Sequence, residues 1–263
     1  MPVRDEIFER VLCGVDDSDA GAAAAWIAAR VVGQDGSLVL ATVHDPSLAV
    51  HAGWMATPVA SELAEAARHA NERGRAEAGS LHAVETRLLE GHPLDALRHE
   101  IGRVGPTLVV VGTHGHSRMV GITLGSVATH LLHEAACSVL VARPPSDRRT
   151  WPQTIVVGVD GSRSSEAAFE VASRLATRLG AKLRPVAATK EPLVDLEAAR
   201  ELAFGLETIE ETAVHALHVL SEEADLIVVG SRGLRGIRAL GSVGERIAHE
   251  ARCSVLVVRE PVE

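Results

Sequence analysis

The chain has 263 residues, of which 46% are hydrophobic and 23% charged, a composition that excludes a disordered chain and suffices for two cores of ordinary size. A formal net charge of −9 and an aromatic content of 2% argue against a nucleic-acid partner, because such partners require a basic face and stacking side chains. Three cysteines without a C-x-x-C pair, no basic start followed by an apolar run, and no apolar stretch of roughly 20 residues predict a cytoplasmic protein without a membrane segment.

Short apolar runs predict the strands of the first half. Runs of Val, Ile, Leu and Ala without polar alternation are typical of strands covered on both faces. They occupy residues 11–15, 38–43, 108–111 and 139–142, and a further strand is predicted at 84–89. Helical patterns separate these runs, and Pro93 stands where proline suits a first helical turn. This alternation predicts an α/β fold with right-handed crossovers and a doubly wound parallel sheet of about five strands.

The second half of the chain repeats the first. Four blocks return in the same order: 11–18 as 155–162, 108–115 as 226–233, 125–127 as 241–243, and 137–141 as 253–257. Residues 143–152 between the halves are proline-rich and polar and predict a linker. The sequence therefore predicts two tandem Rossmann-like domains, 1–144 and 153–263, the second of them shortened.

The elements of the second half are less complete. A helical stripe after the first strand ends at Gly180, and Thr208 with Glu211 forms a capping-box pattern ahead of a later helix. The third strand lies between residues 202 and 209, with its register open. The first and fourth strand motifs are 70 positions apart where the first half has 96, so 26 residues are missing. Most of this loss is expected in the second helix.

Two loops carry the residue types of an anion site. In an open parallel sheet, ligands bind beyond the carboxyl ends of the strands, where the strand order reverses. The loop after the first strand holds Asp16 or Asp160, and the loop after the fourth holds several glycines and ends in a serine at a helix start. Glycines and a helix N-terminus suit phosphate, and a carboxylate can hold a ribose hydroxyl or share a divalent cation with phosphate oxygens. Caps and turns are the alternative interpretation of each residue alone.

The glycine spacing of the first half, G-x2-G-x9-G-S, resembles the ATP-binding signature of universal stress proteins. The G-V-D-x-S motif of the first strand and the C-S-V-L-V motif of the last are also similar to that family. The resemblance implies strand order 3-2-1-4-5 in each half. It also implies an ATP site in which Asp16 serves the ribose and Val43 meets the adenine. The residues implied to hold the ribose and phosphates are Gly112, His114, Gly115, Gly125, Ser126 and Val127.

The second half departs from this signature. Its matching residues are Asp160, Gly230, Gly233, Gly241, Ser242 and Val243. Seven residues separate its second and third glycines, two fewer than in the first half. Arg232, Arg235 and Arg238 are candidates to grip phosphate in compensation, with a solvated basic turn as the alternative. We therefore expect the first half to bind ATP more tightly than the second.

Together with this resemblance, the sequence predicts a regulatory or stress-response protein that binds ATP and Mg²⁺. It is not expected to be an enzyme beyond slow ATP hydrolysis, since it shows no P-loop, no Ser-His-Asp or Cys-His set, and no familiar metal-ligand spacing. Two alternatives stay open: a dimer of the same fold that binds no nucleotide, and a slow ATPase or adenylating enzyme. The resemblance also implies that the last strands, 139–141 and 255–257, join the halves as a pseudo-dimer within one chain, in a protein expected to form homo-oligomers.

Overall fold

The computed structural model describes residues 7–47, 56–79, 83–115, 124–231 and 242–260, in which ten strands and eight helices alternate. The strands are β1 (Arg10–Gly14), β2 (Ser37–His44), β3 (Val84–Glu90), β4 (Leu108–Gly112), β5 (Ser138–Ala142), β6 (Thr154–Gly158), β7 (Lys182–Ala188), β8 (Glu207–Ile209), β9 (Leu226–Gly230) and β10 (Ser254–Val258). The helices are α1 (Asp19–Val31), α2 (Ala56–Glu77), α3 (Pro93–Val104), α4 (Ser126–Glu134), α5 (Arg163–Leu179), α6 (Leu196–Leu202), α7 (Ala213–Leu220) and α8 (Val243–Glu250). No helix in these ranges is long and apolar enough to cross a bilayer.

Contacts divide the chain into two compact units, Met1–His130 and Leu131–Glu263. The division falls inside α4, whereas the predicted linker 143–152, which contains neither helix nor strand, lies within the second unit. The reason is that β5, the last strand of the first repeat, pairs with β10 of the second. The predicted domains 1–144 and 153–263 follow the sequence repeat, and the compact units follow the strand pairing.

The sheet of the first unit is parallel, in the order β3-β2-β1-β4. Its strands lie within one residue of the predicted bounds at each end. Helix α1 packs against β4 and α2 and is buried continuously from Ala20 to Ala28. Its many alanines let the helix approach the sheet closely, because a methyl group is the smallest side chain that still excludes water. Helix α3 begins at Pro93 as predicted.

The sheet of the second unit has the order β5-β10-β9-β6-β7-β8. Within it, the second repeat shows the order 3-2-1-4-5 that the family resemblance implies, with parallel pairing throughout. Strand β5 joins it antiparallel, with Val141 opposite Val255 and Val139 opposite Val257. The implied pairing of the two last strands is therefore confirmed.

The shortening of the second repeat falls where it was expected. Helix α2 has 22 residues and its counterpart α6 has 7, and β8 has 3 residues where β3 has 7. The predicted capping box is wrong, because Thr208 lies in β8, where it pairs with Ala187 of β7. The helix begins at Ala213, after Thr212, whose side chain makes no capping hydrogen bond. Pairing with the sheet overrides the local capping pattern.

Two arginines follow β5 and β10 at equivalent positions and close helix ends in the second unit. The Arg143 guanidinium donates to the carbonyl oxygens of Ala248 in α8 (2.6 Å) and of Cys253 (3.0 Å). The Arg259 guanidinium donates to the carbonyl oxygen of Leu132 in α4. Each arginine satisfies a carbonyl group that the end of a helix leaves without a partner, and each does so across the boundary between the sequence repeats.

Candidate functional site

Asp16 organises the turn between β1 and α1. Its Oδ1 accepts hydrogen bonds from the backbone N–H (3.1 Å) and the hydroxyl of Ser18. The Ser18 hydroxyl in turn accepts the N–H of Gly21 at 3.0 Å and so caps the first turn of α1. The cap that sequence reasoning offered as the alternative is thus present, and it fixes the carboxylate of Asp16 at the carboxyl edge of the sheet.

The loop after β4 meets this carboxylate. A Cβ atom built on Gly115 would lie 2.4 Å from Oδ2 of Asp16, so a side chain at this position would displace the carboxylate or the loop. The hydroxyl of Ser18 also lies 3.4 Å from the carbonyl oxygen of His114, whose Nδ1 is 2.9 Å from the hydroxyl of Thr113. The structure therefore brings together Asp16, His114 and Gly115, three residues that the sequence predicts for one site.

Two further predicted glycines of the first repeat, Gly112 and Gly125, hold the ends of this loop. A Cβ on Gly112 would lie 2.8 Å from the carbonyl carbon of Ala20, so its absence lets the end of β4 approach α1. The N–H of Gly125 donates to the carbonyl oxygen of Thr113 at 2.6 Å and closes the loop just before α4. The predicted partners Ser126 and Val127 form the first residues of α4. These positions place a helix N-terminus beside the loop that carries Gly115.

The remaining residue of the first repeat, Val43, lies in β2 and pairs with Leu89 of β3. It is half-buried and stands one residue before the end of its strand, at the carboxyl edge where Asp16 also lies. This is the edge at which the resemblance expects an adenine.

The second repeat builds the same turn and adds a contact. Oδ1 of Asp160 accepts the backbone N–H (3.0 Å) and the hydroxyl of Ser162, and its carbonyl oxygen accepts the N–H of Asp195 at 3.0 Å. Gly161 has φ +79°, and a Cβ there would lie 2.6 Å from the carbonyl oxygen of Asp195. At the end of β9, a Cβ on Gly230 would lie 2.2 Å from the carbonyl oxygen of Ser164. Gly230 thus repeats the packing role of Gly112.

A cleft that is open to solvent lies at the carboxyl edge of β6, β7 and β9 in the second unit. Its floor is where the strand order reverses, between β6 and β9. The lining residues are Gly158, Val159, Asp160, Ser164, Ser165, Val186, Ala188, Glu191, Val194, Ala213, Ala216, Leu217, Val229, Gly230 and Val243. Three of the predicted site residues, Asp160, Gly230 and Val243, therefore line one cleft together with mostly apolar side chains.

The N-terminus of α8 borders this cleft. Ser242 is its cap and accepts the N–H of Glu245 at 3.2 Å, and Val243, which lines the cleft, is the first helical residue. A carboxylate oxygen of Glu245 lies 3.0 Å from Nε2 of His133. Ser242 is thus confirmed as a helix cap at the place where a phosphate was predicted.

Several predicted residues lie outside the described part of the chain. These are Gly233, Gly241, Arg232, Arg235 and Arg238, so the short loop of the second repeat and its arginines stay predictions. Sequence reasoning also missed three residues that line the cleft, which are Ser164, Glu191 and Val194. No local pattern in the sequence marks Glu191, which stands three residues after the end of β7.

Comparison with known proteins agrees with this architecture. The sequence profile of the Universal stress protein family matches residues 7–143, 152–213 and 206–259. A universal stress protein of Mycobacterium tuberculosis is 33% identical over 294 aligned residues, which cover 95% of this chain and 96% of that protein. One from Mycolicibacterium smegmatis is 30% identical over 292 residues, with the same coverage. A solved universal stress protein structure from Archaeoglobus fulgidus has a TM-score of 0.70 at 20% identity, over 97% of both chains. The chain belongs to the universal stress protein family, with the family's domain present twice in tandem.

Proposed function

We propose that this protein is a regulatory nucleotide-binding protein whose first repeat binds ATP with Mg²⁺. The observation that carries the proposal is the approach of Gly115 to the Asp16 carboxylate, 2.4 Å from the position of a Cβ. It joins the loops after β1 and β4, two neighbouring strands at which the order of the sheet reverses. That is where open α/β sheets bind nucleotides.

The residues present fit both parts of the ligand. The start of α4 and the glycine loop suit phosphate, because N-terminal N–H groups point outward and glycine lets the backbone come close. In the described part of the chain, no group of three or more His, Cys, Asp or Glu residues is placed to hold a metal ion. A Mg²⁺ ion bound through phosphate oxygens and water fits such a site and leaves the Asp16 carboxylate for a ribose hydroxyl.

We propose binding without rapid turnover. P-loop enzymes place a lysine on the β- and γ-phosphates besides Mg²⁺, and the chain has no P-loop motif and two lysines, Lys182 and Lys190. Lys182 begins β7 and so lies at the amino edge of the sheet, opposite the cleft, and Lys190 pairs with Glu211 at 3.4 Å. Release of phosphate from ATP at about 1 s⁻¹ or faster, the lower end of typical enzyme rates, would contradict this proposal.

The proposal extends to location and assembly. We expect a cytoplasmic protein without nucleic-acid partners, and the acidic balance of the chain supports this. The pairing of β5 with β10 supports a pseudo-dimer within the chain, and further association into homo-oligomers stays a prediction.

Calorimetry on the full chain tests the proposal. Mg-ATP is expected to bind the wild type, and Gly115→Val is expected to weaken binding at least tenfold, because a valine would push the loop away from Asp16. The control is Gly102→Ala in α3, where a Cβ meets nothing within 4 Å and affinity is expected to stay unchanged. Thermal unfolding of both variants separates lost binding from lost folding.

Two outcomes count against the proposal. Unchanged affinity in a folded Gly115→Val protein would show that the loop is only a turn. No heat and no stabilisation of the wild type with millimolar Mg-ATP would favour the alternative of a dimer that binds no nucleotide.

A further inference from the structure

The cleft of the second repeat contains a carboxylate at a position where the first repeat has a proline. In each repeat, the glycine that ends the first strand pairs with a residue of the second strand, Ala41 in β2 and Val186 in β7. Five residues further along the chain, the first repeat has Pro46 and the second has Glu191. Glu191 lines the cleft.

The same exchange occurs at the helix that faces this residue. Ala213 is the first residue of α7, and its N–H donates to Oε1 of Glu191 at 2.8 Å. The equivalent first residue of α3 is Pro93, which has no N–H to give. The donor and the acceptor are therefore present together in the second repeat and absent together in the first. This hydrogen bond holds the Glu191 carboxylate at the wall of the cleft.

The position of Glu191 along the cleft matches the base end of a nucleotide. Gly230 ends β9, Asp160 follows β6, and Ala188 ends β7, and these three strands are neighbours in that order. Because adjacent strands lie about 4.8 Å apart, the end of β7 is about 10 Å from Gly230. A nucleotide whose phosphates lie at the end of β9 and the N-terminus of α8, and whose ribose lies at Asp160, has its base at the end of β7. Three residues after that end stands Glu191.

A carboxylate distinguishes between the two purines. An ionised carboxylate only accepts hydrogen bonds, and its two oxygens offer about four acceptor sites, of which Ala213 uses one. The Watson–Crick edge of guanine presents two adjacent N–H donor groups, whereas adenine presents one donor group beside an acceptor nitrogen. A carboxylate therefore pairs with guanine through two charge-assisted hydrogen bonds and meets a lone pair on adenine.

We propose that the cleft of the second repeat binds a guanine nucleotide and that Glu191 selects the base. The inference rests on the proposed nucleotide binding and assigns a different ligand to each repeat. The apolar walls formed by Val159, Val186 and Val194 suit the faces of a purine ring. The two carboxylates, Asp160 and Glu191, divide the recognition between ribose and base.

The test uses the full chain with the first site disabled by Gly125→Val together with Ser126→Ala. Calorimetry with Mg-GTP and Mg-ATP is expected to show binding of GTP at least tenfold tighter than that of ATP. Glu191→Gln is expected to reduce this ratio at least tenfold, because the glutamine amide oxygen can still accept the Ala213 N–H while the amide nitrogen donates and so repels the guanine N–H groups. Glu197→Gln, the same change at an exposed residue of α6 outside the cleft, is expected to keep the ratio.

The outcomes separate this inference from the proposed function. Equal affinity for GTP and ATP in the disabled background, or an unchanged ratio in a folded Glu191→Gln protein, would overturn the inference alone. Loss of all nucleotide binding in the disabled background, with ATP binding retained in the wild type, would also overturn it and leave the first repeat as an ATP site. Failure of the wild type to bind either nucleotide would overturn both.

Discussion

Two buried cysteines lie at the sheet, Cys13 within β1 and Cys253 just before β10. Burial raises the pKa of the Cys253 thiol to about 12, against the weaker opposing effect of the nearby Arg143 charge. Burial raises the pKa of Cys13 further still, and the negative charge of Asp16 adds to the effect. Both thiols therefore stay protonated in the folded protein at a pH where a solvent-exposed thiol ionises.

We expect these thiols to make the protein less stable as the pH rises above about 9. Since the unfolded chain releases protons there that the folded chain keeps, the free energy of unfolding falls by about 1.4 kcal/mol per pH unit for each thiol. The stabilisation is fully present below pH 9 and is lost as the pH rises towards 12. The sequence has no tyrosine and two lysines, so few other groups titrate in this range.

Urea unfolding between pH 8 and 10.5 measures the effect. The double variant Cys13→Ala with Cys253→Ala is expected to show a shallower decline than the wild type, whatever its stability at pH 8. The control is Cys137→Ala, which removes a half-buried thiol. Parallel curves for wild type and double variant would contradict the prediction.

The candidate site shows what residue patterns can and cannot predict. The spacing singled out Gly112 and Gly230, and the structure shows that both pack closely against helices, α1 and α5, that lie far away in sequence. Of the described glycines in and beside the loop after β4, which are Gly112, Gly115 and Gly125, Gly115 is the one that approaches the carboxylate of Asp16. Glu191 was missed because its role depends on the N–H of Ala213, and a hydrogen bond across 22 positions leaves no local pattern.

At the scale of elements, Arg143 links the end of α8 to the strand pair β5–β10. It donates to the carbonyl oxygens of Ala248 and Cys253, and burial lowers the pKa of its guanidinium from a very high ordinary value. Its backbone N–H also donates to the hydroxyl of Ser254 at 3.0 Å. The side chain therefore spans a helix end and a strand start.

Replacement of Arg143 by methionine is expected to destabilise the protein by about 1–3 kcal/mol, because a carbonyl group at the end of α8 loses its partner in a poorly hydrated place. Thermal or urea unfolding measures the loss. Arg149→Met removes a mostly exposed arginine of the same segment and is expected to change stability by less than about 0.5 kcal/mol. Equal effects of the two variants would show that Arg143 does not act as a helix cap.

Strands and long helices followed from the apolar pattern, but short elements did not. The register of β8 stayed open because it has three residues, and its pairing of Val186 with Glu207 depends on β7. Arg184 also forms two hydrogen bonds to the Glu207 carboxylate, at 3.0 and 2.8 Å. The capping-box prediction failed at Thr208 for the same reason, because pairing with β7 determines the conformation of this short polar segment.

At the scale of the whole molecule, the two sequence repeats share one strand pair. Cleavage within the segment 143–152, at a protease site placed at the exposed Asp147 to Arg149 turn, tests how strongly they hold together. We expect the nicked pieces to elute as one species under native conditions, since separation would expose the apolar edges of β5 and β10. Uncut protein is the size standard, and two separate peaks at micromolar concentration would contradict the prediction.

The pairing of β5 with β10 also has a consequence for synthesis of the chain. Leu140 pairs with Leu256, so the partner of β5 leaves the ribosome 116 residues later. At the usual rates of elongation, this interval is roughly 6 to 23 s. During that time, the edge of β5 that pairs with β10 is unpaired and can pair with β5 of a neighbouring nascent chain on the same message. Rapid translation of the second repeat therefore favours pairing of β5 with β10 of the same chain over pairing of β5 strands between adjacent nascent chains.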